Sequence, residues 1–420
     1  MDLKGIIKEQ RLELENIQKT EHIIPREGLS EARTYLNYPN ILVVTGIRRC
    51  GKSIFSYLLE QGHQFGYVNF DDERLFGLKA SDLDSVLQAF YELYREIDYI
   101  VLDEIQNIVG WELFANRLRR SKRVILTGSN SSLLSSELAT HITGRHIAIR
   151  LFPFSFKEYL SFRDFTFSKA YTTQEKAIIG NYLQDYLING GMPEAYKFGK
   201  TILLRTYDDV LTKDIVVRHK IKKSDNLKQM AKYLVSNIAG EFTYSSLAKL
   251  LDVKHVSTVS KWFSYLEECF LVFKVERFDF KLKQQFIAPK KVYCIDSGIV
   301  NLIGFKFSEN KGRILENIVA IQLQRKKETD HELEVYYWKD YFQKEVDFVL
   351  KRRQKIVELI QVTALSLLDE LKEREIDALI AASERLKCNN LTIITIDFEA
   401  GLKVKNKAIK LIPLWKWLLE

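Results

Sequence analysis

Residues 40–53 read Asn-Ile-Leu-Val-Val-Thr-Gly-Ile-Arg-Arg-Cys-Gly-Lys-Ser, an apolar run that ends directly in G-x-x-x-x-G-K-S. No other feature of the chain narrows the possible folds as much. An unbroken β-branched run fits a parallel strand covered on both faces. Gly46 and Gly51 let the backbone curl until successive N–H groups converge, and a helix opening at Lys52 adds the positive end of its dipole. Such a loop cradles nucleotide phosphates, so Gly46, Ile47, Arg48, Arg49, Cys50, Gly51, Lys52, Ser53 and Ile54 are expected around ATP. Lys52 is expected on the β- and γ-phosphates and the Ser53 hydroxyl on Mg²⁺.

A second apolar strand, Tyr99–Leu102, runs into Asp103-Glu104. A strand-end aspartate can hold magnesium, and the adjacent glutamate can orient the attacking water. The plainer alternative is a pair of acids in the first turn of a helix. A third strand, Val124–Thr127, ends in Gly128-Ser129-Asn130, where Ser129 or Asn130 would either sense the γ-phosphate or cap the next helix. With strands at 67–70 and 146–151, the last preceded by a Ser/Thr-rich helix, five strands alternate with helices in a doubly wound α/β layer. Ligands in such sheets sit at the carboxyl ends of the strands, where Gly46, Asp103 and Ser129 all fall.

Charge is concentrated away from this layer. Between Lys213 and Lys291 sixteen Lys and Arg face eight Asp and Glu, an excess equal to the formal net charge of +8 for the whole chain. A basic middle between neutral flanks suits a partner rich in phosphate, most simply duplex DNA; the alternative is a solvated helical surface. Four scattered cysteines form neither a disulfide framework nor metal-ligand spacing, which suggests a reducing compartment. With no apolar segment of membrane length, the cytoplasm is the expected location and a membrane is not an expected partner.

Gly-Ile-Arg-Arg-Cys-Gly-Lys-Ser, Tyr-Val-Asn-Phe-Asp-Asp-Glu, Leu-Asp-Glu-Ile-Gln and Leu-Thr-Gly-Ser-Asn-Ser together resemble the prokaryotic AAA-type P-loop ATPases that carry a C-terminal domain of unknown function. Thr143-Gly-Arg145, Pro153-Phe-Ser-Phe-Lys-Glu158 and Gly190-Gly-Met-Pro193 extend the likeness along nearly the whole chain. The resemblance implies ATP hydrolysis in a homo-oligomer, with Glu104, Lys52 and Arg145 catalytic. It puts Arg145 just before the last core strand as an arginine finger acting on the neighbouring subunit; a plain surface arginine is the alternative. Aromatic-rich residues 152–224 fit a helical lid, with Arg205 and Arg218 as candidates to reach the γ-phosphate.

Three short helices, at 230–238, 244–251 and 257–266, followed by strand 271–275 and a basic segment bearing Lys281 and Lys283, read as a winged helix-turn-helix. On the third helix Val259, Phe263 and Leu266 repeat at core spacing, leaving Lys261 outside with Lys254 in the preceding turn. Lys254 and Lys261 are the expected DNA contacts, to phosphates and not to bases, because the exposed face carries no Arg, Asn or Gln suited to base edges. A protein-docking winged helix is the competing reading.

After Pro289 the pattern is helix (315–325), three strands (334–338, 345–350, 356–362), a long helix (367–386) and a strand (391–396). That order resembles the restriction-endonuclease-like core, whose helix glutamate, strand aspartate and Glu-x-Lys hold Mg²⁺ for phosphodiester cleavage. Glu316 and Asp347 match the first two positions. Gln361-Val362-Thr363 replaces Glu-x-Lys, and Glu358 falls on the opposite strand face, so the domain is read as degenerate.

The sequence therefore predicts an α/β chain with a helical lead-in (1–38), an AAA-type P-loop core (39–151), a lid (152–224), a winged helix (225–288) and a restriction-endonuclease-like domain (289–420). The expected function is an ATP-hydrolysing, DNA-associated switch or motor. Its rivals are an ATP-dependent DNA-cleaving defence nuclease and a signalling ATPase that docks a protein and no DNA.

Overall fold

The computed structural model describes residues 2–60, 62–134, 144–166, 171–304, 311–365 and 373–420. The chain divides into two compact units. One is Met1–Pro153 with Ser161–Asp164 and Glu268–Phe270, and the other is Phe154–Leu160, Phe165–Glu267 and Leu271–Glu420.

The first unit is built on β1 (Ile41–Thr45), β2 (Phe65–Asn69), β3 (Tyr99–Asp103), β4 (Arg123–Gly128) and β5 (His146–Arg150), all parallel in the order β2-β3-β4-β1-β5. The β-branched runs are buried on both faces: every residue of β1 is covered. Ile41, Val43, Ile100, Leu102, Val124 and Leu126 share one core with Ile6 and Ile7 of the lead-in helix Leu3–Thr20. Registers Asn69↔Asp103 and Thr45↔Gly128 bring the carboxyl ends of four strands to one edge. The Ser/Thr-rich helix expected before β5 falls mainly on residues 135–143, outside the described ones, as does Thr143 of the Thr-Gly-Arg motif.

The second unit holds β6 (Glu241–Phe242), β7 (Val272–Arg277), β8 (Lys290–Cys294), β9 (Leu333–Lys339), β10 (Glu345–Arg352), β11 (Lys355–Val362), β12 (Leu391–Thr395), β13 (Ala400–Val404) and β14 (Lys407–Pro413). They form one sheet, β13-β14-β12-β11-β10-β9-β7-β8-β6. Parallel pairing of β7 with β9, Glu276↔Tyr336, carries the sheet across residue 288, where the sequence suggested a domain boundary. The helices after the first sheet, including Thr173–Asn189, belong to this unit. Gly191 N–H donates to Asp296 Oδ2 at 2.7 Å, and Asn301 Nδ2 donates to the Leu187 carbonyl at 2.9 Å.

Helices Ser224–Ser236, Tyr244–Leu250 and Val256–Glu268 occupy the three expected positions, the first beginning six residues earlier than its pattern suggested. Val259, Phe263 and Leu266 are buried, while Lys254 and Lys261 are exposed. The segment bearing Lys281 and Lys283 is not a strand: Leu282–Ile287 is helical. Asp279 starts that turn by accepting from Lys281 N–H at 2.9 Å, and its carbonyl accepts from Gln285 Nε2 at 2.6 Å. The later helices are Lys311–Thr329 and Glu373–Leu386; the expected start of the second, at 367–372, lies outside the described residues. All four cysteines are buried and outside any disulfide, and no helix among the described residues is long and apolar enough to cross a membrane.

Candidate functional site

The loop after β1 turns on two glycines for different reasons. A Cβ at Gly46 would stand 2.2 Å from the Leu151 carbonyl oxygen, so no larger residue fits. Gly51 has φ +96°, a left-handed conformation open to glycine, and caps the Lys52–Leu59 helix. Buried Arg26 staples the loop from outside, donating to the Cys50 carbonyl at 2.9 Å and the Phe152 carbonyl at 2.6 Å.

Lys52 is buried at the loop's centre. Its ammonium donates to the carbonyls of Gly46 (3.2 Å) and Ile47 (3.3 Å) and lies 3.6 Å from Glu104 Oε1. Asp103 ends β3 and receives hydrogen bonds from Tyr67 OH at 2.7 Å, from Thr127 Oγ1 and from Ser53. Burial and the Glu104 charge push the Asp103 carboxyl upward. Burial alone would raise Glu104 as well, but Lys52 and Arg48 outweigh it and hold that carboxyl below its ordinary range.

Glu104 sits in the left-handed region at φ 51°, unusual for a non-glycine residue. The surroundings hold it there. Its N–H donates to Thr127 Oγ1 at 3.2 Å, and its Oε2 accepts from Ser129 N–H (3.3 Å), Ser129 Oγ (3.2 Å) and Gln106 Nε2. Strain of this kind concentrates where a side chain must be aimed.

Lys52, Ser53, Asp103, Glu104 and Ser129 therefore meet at one sheet edge. Asn130 is buried beside them, and its side-chain amide donates to the Cys269 thiol at 3.6 Å. Arg48 reaches Asp71 at 3.3 Å. Arg145 is not in this group: its carbonyl accepts from Ile41 N–H at the opposite edge of the sheet, and its exposed guanidinium donates to Asn116 at 3.3 Å. Five strand residues at about 3.3 Å each separate those two edges, so Arg145 cannot serve its own chain's loop. Tyr67, Thr127 and Arg26 escaped the motif reading. Tyr67 and Thr127 carry hydroxyls near the ends of β2 and β4, and Arg26 follows Pro25 in a lead-in without periodicity.

A second constellation lies in the other unit. Glu316, from the Lys311–Thr329 helix, and Asp347, on β10, converge as expected, but on a lysine from β8. Lys291 Nζ is 2.8 Å from Glu316 Oε1, 2.7 Å from Glu345 Oε1 and 3.1 Å from Asp347 Oδ1. Tyr293 OH donates to Glu316 at 2.7 Å, and Val362 N–H donates to Asp347 Oδ2 at 2.9 Å. Gln361 is buried one register step beyond the Phe348↔Ile360 pair, across from Asp347. Glu358 is engaged elsewhere, accepting from Thr392 Oγ1 at 2.6 Å. Burial and Asp347 raise the Glu316 carboxyl to about 7. Among the described residues no group of three His, Cys, Asp or Glu is spaced to hold a metal ion.

A family model described as an AAA domain matches residues 38–160. Two domains of unknown function, DUF8612 and DUF4143, match residues 180–309 and 311–415. An uncharacterized protein of Haemophilus influenzae is 30% identical over 336 residues, 76% of this chain and 81% of that one. Among solved structures, the Walker-type ATPase PABY2304 of Pyrococcus abyssi superposes with a TM-score of 0.43 at 14% identity, covering 67% of this chain and 96% of that one. The uncharacterized protein MJ1544 of Methanocaldococcus jannaschii is 34% identical over 438 aligned positions, 100% of this chain and 96% of that protein. The chain belongs to the family of that M. jannaschii protein, with an AAA domain ahead of two domains of unknown function.

Proposed function

We propose that the chain is a Mg²⁺-dependent ATPase that works as a homo-oligomeric, DNA-associated switch or motor. The observation that carries the ATPase reading is the Lys52–Glu104 contact, with Asp103, Thr127 and Ser129 arranged around it. The residues present suit the ligand: the loop offers convergent N–H groups and one buried cation, and Ser53 with Asp103 offers hard oxygen donors for Mg²⁺. Bound MgATP would supply the scissile phosphoanhydride and the cation that neutralises it.

Lys52 would bind phosphate oxygens in competition with Glu104, so binding would free the carboxylate it now faces. Glu104, kept ionised by its cationic neighbours, would then orient a water and accept its proton. Ser129 donates to that same carboxylate, which ties the tip of β4 to the protonation state of the base. Arg145 would act on the neighbouring subunit. Arg145→Ala should slow hydrolysis about 10³-fold, and mixing it with excess Lys52→Ala subunits should restore activity.

Support for the DNA role is a cleft lined by His219, Lys222, Lys223, Lys254, His255 and Lys261, with no acidic residue in its wall. Tyr265 stacks on His219 at 3.6 Å there, and Lys261 lies over the same tyrosine. Protein docking, the second reading, is favoured by exposed Phe280, Tyr341 and Phe342, which line one groove of the same unit. ATPase rates with and without duplex DNA decide between them. Stimulation by DNA that fades with salt supports the first reading, and a rate indifferent to DNA supports the second.

A further inference from the structure

The carboxylate cluster of the second unit is built around a cation. An ammonium has three protons to donate, and Lys291 places three carboxylate oxygens, one from the Lys311–Thr329 helix and two from β10, between 2.7 and 3.1 Å of its nitrogen. The carboxylates are themselves anchored. Glu345 Oε2 faces Lys339 at 3.2 Å, Asp347 Oδ2 accepts from Val362 N–H, and Glu316 accepts from Tyr293 OH. The lysine side chain is 1% exposed.

A fourth oxygen donor stands beside them. Gln361 is 8% exposed, lies across from Asp347, and its Oε1 is buried without a hydrogen-bond partner. Three carboxylates and an amide carbonyl are the ligand types a hard divalent ion selects. Around the ammonium the carboxylate oxygens stand at 2.7–3.1 Å, longer than the roughly 2.0–2.1 Å of Mg²⁺ or roughly 2.3–2.6 Å of Ca²⁺, so a divalent ion needs the ammonium gone and the carboxylates drawn in. The spacing suits nitrogen.

We propose that Lys291 supplies, as part of the chain, the cation this cluster is built around, so that the wild-type cluster takes no divalent ion and Lys291→Ala turns it into a divalent-cation site. The second unit then performs no metal-dependent phosphodiester cleavage, and the cluster fixes the Lys311–Thr329 helix to β8 and β10. This stands apart from the nucleotide-site reading, because none of its residues belongs to the phosphate loop.

The test is Mn²⁺ binding, read by electron paramagnetic resonance on the full chain without nucleotide. Wild type should bind no Mn²⁺ at this cluster. Lys291→Ala should gain one site, at least ten-fold tighter than any in wild type, and Lys291→Ala/Asp347→Asn should lose it. Lys291→Arg, which retains the charge, should gain nothing. Mn²⁺ bound by wild type and released by Asp347→Asn would overturn the proposal, as would a folded Lys291→Ala chain that binds none. If Lys291→Ala is unfolded in metal-free buffer, refolding in millimolar Mn²⁺ supports the proposal and continued unfolding counts against it.

Discussion

Two buried lysines divide the molecule's chemistry between them. Lys52 contacts two loop carbonyls and one carboxylate at 3.6 Å, on a loop whose backbone depends on glycine. Lys291 contacts three carboxylates, none farther than 3.1 Å, on strands and a helix. Both stay charged despite burial, because carboxylates outweigh the loss of water. The difference lies in what could replace those partners. Phosphate oxygens can compete for an ammonium held by carbonyls and one distant carboxylate. Three tight carboxylates leave no proton for a newcomer. Burial with opposite charge is thus common to an exchangeable site and a locked one, and the number of saturated donors separates them.

The largest effect that sharpens this comparison is kinetic. Glu104→Gln should lower ATP hydrolysis on the order of 10³-fold while leaving ATP binding intact, since Lys52 loses a competitor and not a ligand. Turnover at the wild-type rate would move the base elsewhere.

Stability comes next. Lys291→Ala leaves buried Asp347 and part-buried Glu316 and Glu345 without their cation and should cost about 3 kcal/mol in metal-free buffer. Lys52→Ala should abolish tight ATP binding yet cost only about 1 kcal/mol. Equal losses in urea titrations would erase the distinction drawn here.

A third buried ionisable group, kept neutral by burial, serves as the control. Glu60 is fully buried with neither carboxylate oxygen hydrogen-bonded, and burial lifts its carboxyl to about 9. The folded chain therefore holds a proton that the unfolded chain releases above about 4.5. Its contribution is present below that pH and is lost progressively as pH rises toward 9. Glu60→Gln should stabilise the chain by about 2 kcal/mol at pH 7, with the gap to wild type widening from pH 5 to 8. A pH-independent gap would mean that Glu60 has found a counter-charge.

The smallest effect belongs to the exposed cations. Lys254→Ala/Lys261→Ala should weaken all duplex sequences about equally and flatten the slope of log affinity against log salt by about 2. ATP binding should be unchanged. A wild-type slope would put protein docking ahead.

Much of this was legible in the sequence, for a physical reason. The phosphate loop, Asp103-Glu104 and Ser129 lie beside strands whose apolar runs announce them, and parallel register brings such strand ends together. Glu316 and Asp347 were findable from the order of elements. Lys291 was not, because in sequence it is one of two lysines after a proline and passes for part of a basic wing. The signal was there: adjacent strand residues face opposite ways, so one of Lys290 and Lys291, heading the apolar strand Val-Tyr-Cys-Ile, had to turn inward. Tyr67 and Thr127 stayed hidden because their shared partner, Asp103, is 36 residues from one and 24 from the other. The single nine-stranded sheet was equally hidden, since β7 and β9 meet through only two registered pairs.

That sheet limits how the chain can be taken apart. A cut at residue 288 would strip β8 from between β6 and β7 and bare hydrogen-bonding edges on both fragments, edges that recruit other strands. It would also part Lys291 from the basic segment it adjoins in sequence, leaving it with the fragment that holds its carboxylates. Anyone wishing to express the basic helices alone should expect precipitate. The boundary expected at residue 288, where the winged-helix pattern ends, is no seam in the fabric, and whatever pulls on the Lys254 turn pulls on cloth woven through to β13.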